Sequence, residues 1–282
     1  MTVNWRPQTD SEQARAWRTD VLQDLEVLHA TYRSHTFPRH LHEEFCIGVV
    51  TQGAEKVGYR GSTYLAPAGS LVVIPPEAVH SNIAADETGW SFQVCYPSPA
   101  LFAQLGVGQS IPHFTQPIIA DRPLARVFIR FHQLLSQANP QNTPRQILEA
   151  ESVLLSALAI LVKRYSKPGL PDGRSCQHES GAVGQIKDYL HTHYAEKITL
   201  QDLAELTELS PYYLSRVFQK ATGLPPHAYL IQVRIIQAKV LLSKHASIAQ
   251  VAIDLGFTDQ SHFTKTFKTL VGVTPKQYQN NR

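Results

Sequence analysis

No window of this 282-residue chain approaches the roughly 18–20 uncharged apolar residues that span a bilayer, and its first residues, MTVNWRPQTDSEQARAW, hold no apolar core of a secretory leader. Neither export nor membrane insertion is expected, and the expected compartment is the cytoplasm. Cysteine is scarce: Cys46, Cys95 and Cys176 are an odd three, with no CxxC or metal-knuckle spacing. That argues against a disulfide framework or a structural zinc site and fits a reducing compartment. Cys46 and Cys95 lie in apolar stretches and read as small core residues. Strong charge is lacking too, the net being +3, which does not by itself identify a nucleic-acid partner. Its distribution is uneven, however: residues 1–182 carry 15 Lys+Arg against 16 Asp+Glu, and residues 183–282 carry 11 against 7.

What is present is a soluble, globular composition, 43% hydrophobic and 17% charged, in a chain long enough for two cores. From about residue 27 to 97 the chain reads as short strands: FCIGVVTQG, EKVGYRGSTYLAP and SLVVIPPEAVH, broken at Gly53, Gly58, Gly61, Gly69 and Pro75-Pro76. Such spacing predicts a small barrel or sandwich. Between about 121 and 165 the texture turns helical, and Ile147, Leu154, Leu155, Leu158, Leu161, Val162 and Tyr165 recur at spacings of three and four. This stripe is expected to pack on its own barrel, the alternative being a homodimer surface. Residues 166–182, rich in Gly, Pro and Ser, read as a linker between a front domain, 1–165, and a back domain, 183–282.

The back domain repeats itself at a period of about 49 residues. ITLQDLAELTELSPYYLSRVFQKATGLPPHAY is answered by SIAQVAIDLGFTDQSHFTKTFKTLVGVTPKQY. Leu214 matches Phe263, Arg216 matches Lys265, Phe218 matches Phe267, and Gly223, Pro226 and Tyr229 match Gly272, Pro275 and Tyr278. Each copy spells two short helices and a tight turn, a helix-turn-helix layout, at about 199–222 and 247–271. Thr199 with Asp202, Ser210-Pro211, Ser247 and Asp259 are the expected N-caps, and Gly223 and Gly256 the expected helix ends. AYLIQVRIIQAKVLLSK, free of Gly and Pro, predicts one continuous helix between the copies, holding them at a fixed separation. Arg234 within it is expected to brace the two units.

The string Gly256-Phe257, Ser261, Phe263, Phe267-Lys268, Gly272, Thr274-Pro275, Tyr278 resembles the DNA-binding domain of the AraC/XylS family of bacterial regulators, over about residues 183–282. The resemblance implies double-stranded promoter DNA as partner, with RNA polymerase beside it. Apolar positions of each second helix face inward, which leaves Tyr212, Tyr213, Ser215, Arg216 and Gln219 outward on one and Gln260, Ser261, His262, Thr264 and Lys265 on the other. Arg, Ser, Gln and His side chains can hydrogen-bond base edges and Tyr can meet thymine methyls. Lys220, Lys268 and Lys276 sit near helix ends and suit phosphates.

PRHLHEEF, Gly53 and the stretch GSLVVIPPEAVH resemble the cupin-like sensor barrel that precedes such DNA-binding domains, over about residues 27–97. The whole is thus expected to be α+β: a cupin-like barrel with following helices, then an all-α tandem helix-turn-helix domain. The barrel would hold a small-molecule effector. Its available polar and aromatic residues are Arg39, His40, His42, Glu44, Tyr59, His80, Trp90, Gln93 and Tyr96. His40, His42, Glu44 and His80 could converge on a metal, which would make a cupin-type oxygenase one alternative function, the other being a DNA-binding factor that needs no ligand. Against the oxygenase, Glu44 follows His42 too soon for the cupin enzyme spacing, Glu77 stands where Gly is usual, and no Asn follows His80 at the usual offset. No cofactor and no catalytic residue are expected.

Overall fold

The computed structural model describes residues 12–19, 22, 25–104, 112–136, 144–167 and 177–280. Among the described residues the front barrel is a nine-stranded sheet, beginning with β1 (Gln13–Thr19), β2 (Leu25–Tyr32), β3 (Phe37–His40), β4 (Cys46–Tyr59), β5 (Ser62–Pro67), β6 (Leu71–Ile74), β7 (His80–Ala84) and β8 (Trp90–Tyr96). After α1 (Pro99–Gln104) come β9 (His113–Phe114), β10 (Ile118–Ile119), α2 (Arg122–Ser136), α3 (Pro144–Tyr165) and β11 (Ser166–Lys167). The main sheet runs β1-β2-β8-β4-β6-β10, with β5 and β7 on the far half of β4 and β3 on β7; β11 pairs with β9.

Strand β4 is the spine. Its first half pairs with β8 and β6, its second with β5 and β7. The change falls at a bulge, where the register with β8 steps from Val50↔Phe92 to Gln52↔Ser91. An extra residue on one strand reverses which residues face inward. Before it, Cys46 and Val50 face the barrel interior while Ile47 and Val49 join the core under the helices; after it, Glu55, Val57 and Tyr59 are the buried residues. Gly53 and Gly58 therefore do not break the strand, contrary to the sequence reading. Gly53 takes φ +65 at the bulge, and a Cβ there would lie 2.2 Å from the Gly89 carbonyl oxygen. At Gly58 the missing side chain admits Ser81 of β7, whose Oγ would be 2.5 Å from a Cβ. The turn falls instead at Arg60-Gly61, both at positive φ, as a two-residue hairpin loop demands.

The outer face of the main sheet is covered by α2 and α3. Leu154, Leu158, Leu161 and Val162 of the apolar stripe are buried there with Phe128 and Phe131, and Ile147, Leu155 and Tyr165 pack partly buried against them. The stripe thus lies on its own barrel. Ser166 and Lys167, read as linker from the sequence, pair as a strand with His113 and Phe114, and residues 177–182 of the same reading are helical; residues 168–176 lie outside the described residues.

The back domain is α4 (Gln177–Thr192), α5 (Leu200–Thr207), α6 (Pro211–Thr222), α7 (Pro226–Ser243), α8 (Ile248–Asp254), α9 (Gln260–Val271) and α10 (Pro275–Asn280). Thr199 and Asp202 form a reciprocal capping box on α5, Ser210 Oγ accepts from the Tyr213 amide, and Asp259 accepts from the His262 amide at 2.7 Å. Ser247 precedes α8 but its side chain makes no capping bond, so this cap is not used. Arg234 donates to the carbonyls of Tyr194 (2.7 Å), Gly256 (2.7 Å) and Glu196 (2.9 Å). These carbonyls close the ends of neighbouring segments, so a charged side chain spaces the two units as expected.

Candidate DNA interface and ligand cavity

On α6, burial of Leu214, Val217 and Phe218 turns Tyr212, Tyr213, Arg216 and Gln219 to solvent, with Ser215 half-buried. Burial of Phe263, Phe267 and Leu270 does the same on α9 for Gln260, Ser261, His262, Lys265 and Lys268. Arg216 lies 5.8 Å from the Tyr212 ring centroid one helical turn away, so the ring steers the guanidinium. Ser215 also borders a groove of about 180 Å³ with His227. Lys268 differs from the rest: its charge reaches His35 of the barrel, adding to the burial that lowers the His35 pKa, so it stands at the barrel end of α9. The two exposed faces belong to equivalent helices of the repeat, and both helices end at a left-handed glycine packed on the barrel. A Cβ on Gly223 would touch Val79 at 3.0 Å, and one on Gly272 would lie 2.4 Å from Tyr32 Oη.

Inside the barrel is a cavity of about 40 Å³. Of the nine residues singled out from the sequence, four line it: His40, His42, His80 and Tyr96. The three imidazoles are mutual neighbours, with ring centroids 4.2 Å apart for His40–His80, 4.9 Å for His40–His42 and 5.3 Å for His42–His80. His40 and His80 face each other across the β3–β7 ladder. Leu41, between His40 and His42, points the other way into the first helix-turn-helix core. His40 Nδ1 lies 2.7 Å from the Pro38 carbonyl oxygen and His80 Nδ1 lies 3.0 Å from that of Ala78. Burial holds all three pKa values low, that of His80 at about 4, and the repulsion of neighbouring imidazoles adds to it for His40 and His42. They are neutral at physiological pH.

The other five do not line the cavity. Arg39 is exposed on β3. Gln93 alternates with Phe92 and Val94 on β8 and so points outward, its register partners being His29 and Val49. Trp90 does face inward, stacked 5.6 Å from Phe92, but lies in the packed core, and Tyr59 is likewise buried beside Arg60. Glu44 lies near the barrel mouth: burial raises its pKa, while the Lys239 charge opposes that rise. It takes no part in the histidine cluster.

Three polar lining residues, Glu55, its partner Asn82, and Cys46, escaped sequence reasoning. Glu55 is wholly buried, its pKa pushed up to about 7 by burial even though Asn82 Nδ2 donates to it at 2.9 Å. The bulge hid it, because alternation counted from Cys46 places residue 55 outside. Cys46 was read as core, and it does face inward on the cavity wall; burial raises its thiol pKa.

A second cavity, about 30 Å³, lies between barrel and back domain. It shares His40, His42 and Tyr96 with the first, and its far wall is Gln232, Ile235, Ile236 and Lys239 of α7 with Leu270 and Val271 of α9. The path across is short. The His42 ring lies 4.9 Å from that of Tyr96, Lys239 Nζ stands 5.5 Å from the Tyr96 centroid, and it donates to Glu26 of β2 at 2.7 Å. The barrel interior and the second helix-turn-helix unit share one continuous apolar core, running from Leu28 and Phe92 to Phe267 and Tyr278.

Residues 22–158 match the AraC-like ligand binding domain, and residues 203–281 match a helix-turn-helix domain. The chain is 33% identical over 231 residues to the HTH-type transcriptional regulator YbfI of Bacillus subtilis (strain 168), covering 80% of this chain and 81% of that one. It is 26% identical over 254 residues to the HTH-type transcriptional activator RhaS of Enterobacter sp. (strain 638), covering 87% and 88%. Among solved structures, ToxT from Vibrio cholerae O395 superposes with a TM-score of 0.54 at 13% identity over 97% of this chain and 98% of that one. Unsaturated fatty acid bound ToxT gives 0.54 at 15% identity over 97% and 96%. At these identities the likeness is one of fold. Among the described residues no helix is long and apolar enough to cross a membrane.

Proposed function

This chain belongs to the AraC family of effector-controlled, DNA-binding transcriptional regulators, and from that premise we propose that α6 and α9 read promoter DNA while a small molecule at the barrel sets how the two domains are arranged. The observation that carries the second half is the shared wall of the two cavities: His40, His42 and Tyr96 border both, and α7, which joins the helix-turn-helix units, closes the second. A cavity of about 40 Å³ holds one or two water molecules, far below the several hundred Å³ of an organic ligand site. An organic effector therefore enters only as the barrel mouth and α7 part. It favours the opened arrangement by the difference between its affinities for the two.

In this proposal Tyr212, Tyr213, Ser215, Arg216 and Gln219 of α6 and Gln260, Ser261, His262 and Lys265 of α9 approach base edges, and Lys268 a phosphate near the barrel. RNA polymerase is the second partner, the work is done in the cytoplasm, and no reaction is catalysed. A homodimer would use what α3 leaves uncovered, where Leu148 is 63% exposed.

Selection of sites from random duplex DNA with the full-length protein at two salt concentrations tests the first half. Two enriched boxes about one helical turn apart, bound less tightly at the higher salt, are expected. No enrichment with or without pooled metabolites would overturn it.

A further inference from the structure

The barrel cavity holds three imidazoles whose nitrogen atoms, one from each ring, all lie within 4.8 Å of one another. Their surroundings bear on what they are for. Hydrogen bonds from Nδ1 of His40 to Pro38 and of His80 to Ala78 commit the ring proton to the backbone, which leaves Nε2 of each ring as an acceptor. Two acceptors cannot hydrogen-bond each other, and the wall around them is mostly apolar, Leu28, Phe37, Val72, Phe92 and Val94, with Cys46, Glu55, Asn82 and Tyr96 as its other polar residues. One cation at their centre would accept a lone pair from all three at once. A backbone carbonyl holding the second ring nitrogen is also the usual way a ligating histidine is oriented.

We propose that His40, His42 and His80 bind a single divalent first-row transition metal ion, of the Zn²⁺ type, inside the sensor barrel. Three neutral nitrogens are a donor set that such ions favour over Mg²⁺ or Ca²⁺. Metal–nitrogen bonds of about 2.1 Å in tetrahedral geometry need nitrogens about 3.4 Å apart, so the rings close by no more than about 1.4 Å from the observed limit. The cavity has room for an ion with a water molecule and not for an organic molecule. Glu55 on the same wall supplies a negative charge that burial alone disfavours and a cation would restore. The fourth coordination position is left to a small donor. The site goes beyond the DNA-binding reading and does not depend on it.

The test uses untagged full-length protein stripped with chelator and titrated with Co²⁺ as a spectroscopic stand-in for Zn²⁺. One equivalent binds with the ligand-field bands of a four- or five-coordinate nitrogen site, and Zn²⁺ displaces it. His42→Gln and His80→Gln each weaken binding at least tenfold while far-UV circular dichroism stays unchanged. Should a variant fail to fold, the wild-type protein still decides: hyperfine-shifted, exchange-protected imidazole N–H resonances are expected from rings bonded to backbone carbonyls. Absence of a Co²⁺ spectrum, unshifted imidazole resonances, or equal binding by folded variants overturns the proposal. DNA-site selection on the stripped protein is scored separately, so failure of the metal site leaves the regulatory reading standing.

Discussion

Lys239 of the helix between the two DNA-binding units donates to Glu26 of the second barrel strand at 2.7 Å, across 213 residues of sequence. The same carboxylate accepts from Tyr278 Oη at 2.9 Å and from Arg18 at 3.4 Å, so β1, β2, α7 and α10 meet at one buried anion. A further domain contact, the ion pair of Glu77 with Lys187, ties the turn before β7 to α4.

Burial alone would raise the Glu26 pKa, but the charges of Lys239 and Arg18 and the bonds from Lys239 and Tyr278 outweigh it and hold it below 4.5. A depressed folded-state pKa stabilises above the unfolded value and is lost as pH falls through the folded one. Glu26→Gln should therefore cost roughly 3 kcal/mol at pH 7, by leaving Lys239 buried without its anion. The gap to wild type should shrink as urea denaturation is repeated downward from pH 4.5. A gap that ignores pH would show that the charge contributes nothing.

Glu55 titrates with the opposite sign. Burial lifts its pKa from 4.5 to about 7, with the Asn82 bond opposing; Cys46, the three histidines and Tyr96 are the other titratable groups on the cavity. In metal-stripped protein the folded state holds this proton between about pH 4.5 and 7, so its stability falls as pH rises through that window. Glu55→Gln keeps an acceptor for Asn82 and removes the effect. Thermal melts should show the variant gaining on wild type by about 3 kcal/mol across the window and no further above it.

Gly272 combines φ +89 with a Cβ position 2.4 Å from Tyr32 Oη, which donates to the Gly272 carbonyl at 2.9 Å. Gly61 has φ +80 and open space around it. Both alanine variants carry the left-handed backbone penalty of about 1–2 kcal/mol. Gly272→Ala should lose clearly more, and limited proteolysis should detect a loosened contact between domains only there. Equal losses would mean that Tyr32 gives way freely.

Arg216→Ala is expected to weaken binding to the selected site by about 1–3 kcal/mol and relax preference at one base pair. Lys220→Ala should weaken all sites alike and lower the salt slope by about one. Gel-shift series on the selected site and single-base variants separate the two, and unchanged base preference in Arg216→Ala would remove it from the reading face.

The sequence by itself determined the back domain almost to its caps. Helix periodicity, Ser210 and Asp259 as caps, the two terminal glycines and the repeat are local features, each set by neighbours within a turn or two of chain. It also determined that His40, His42 and His80 belong to the barrel. Only the tertiary structure decided which side chains meet inside it. In strands, facing is decided by parity, and one bulged residue near Thr51 reverses parity for everything beyond, which brought Glu55 in. Gln93 was excluded by the same rule without a bulge, and counting by twos from Phe92 would have found it. The encounter of Glu26, Lys239 and Tyr278, and of both recognition-helix glycines with the barrel, depends on how two domains pack. Contacts across more than 200 residues leave no periodic mark, because nothing in the local chain is spaced to make them.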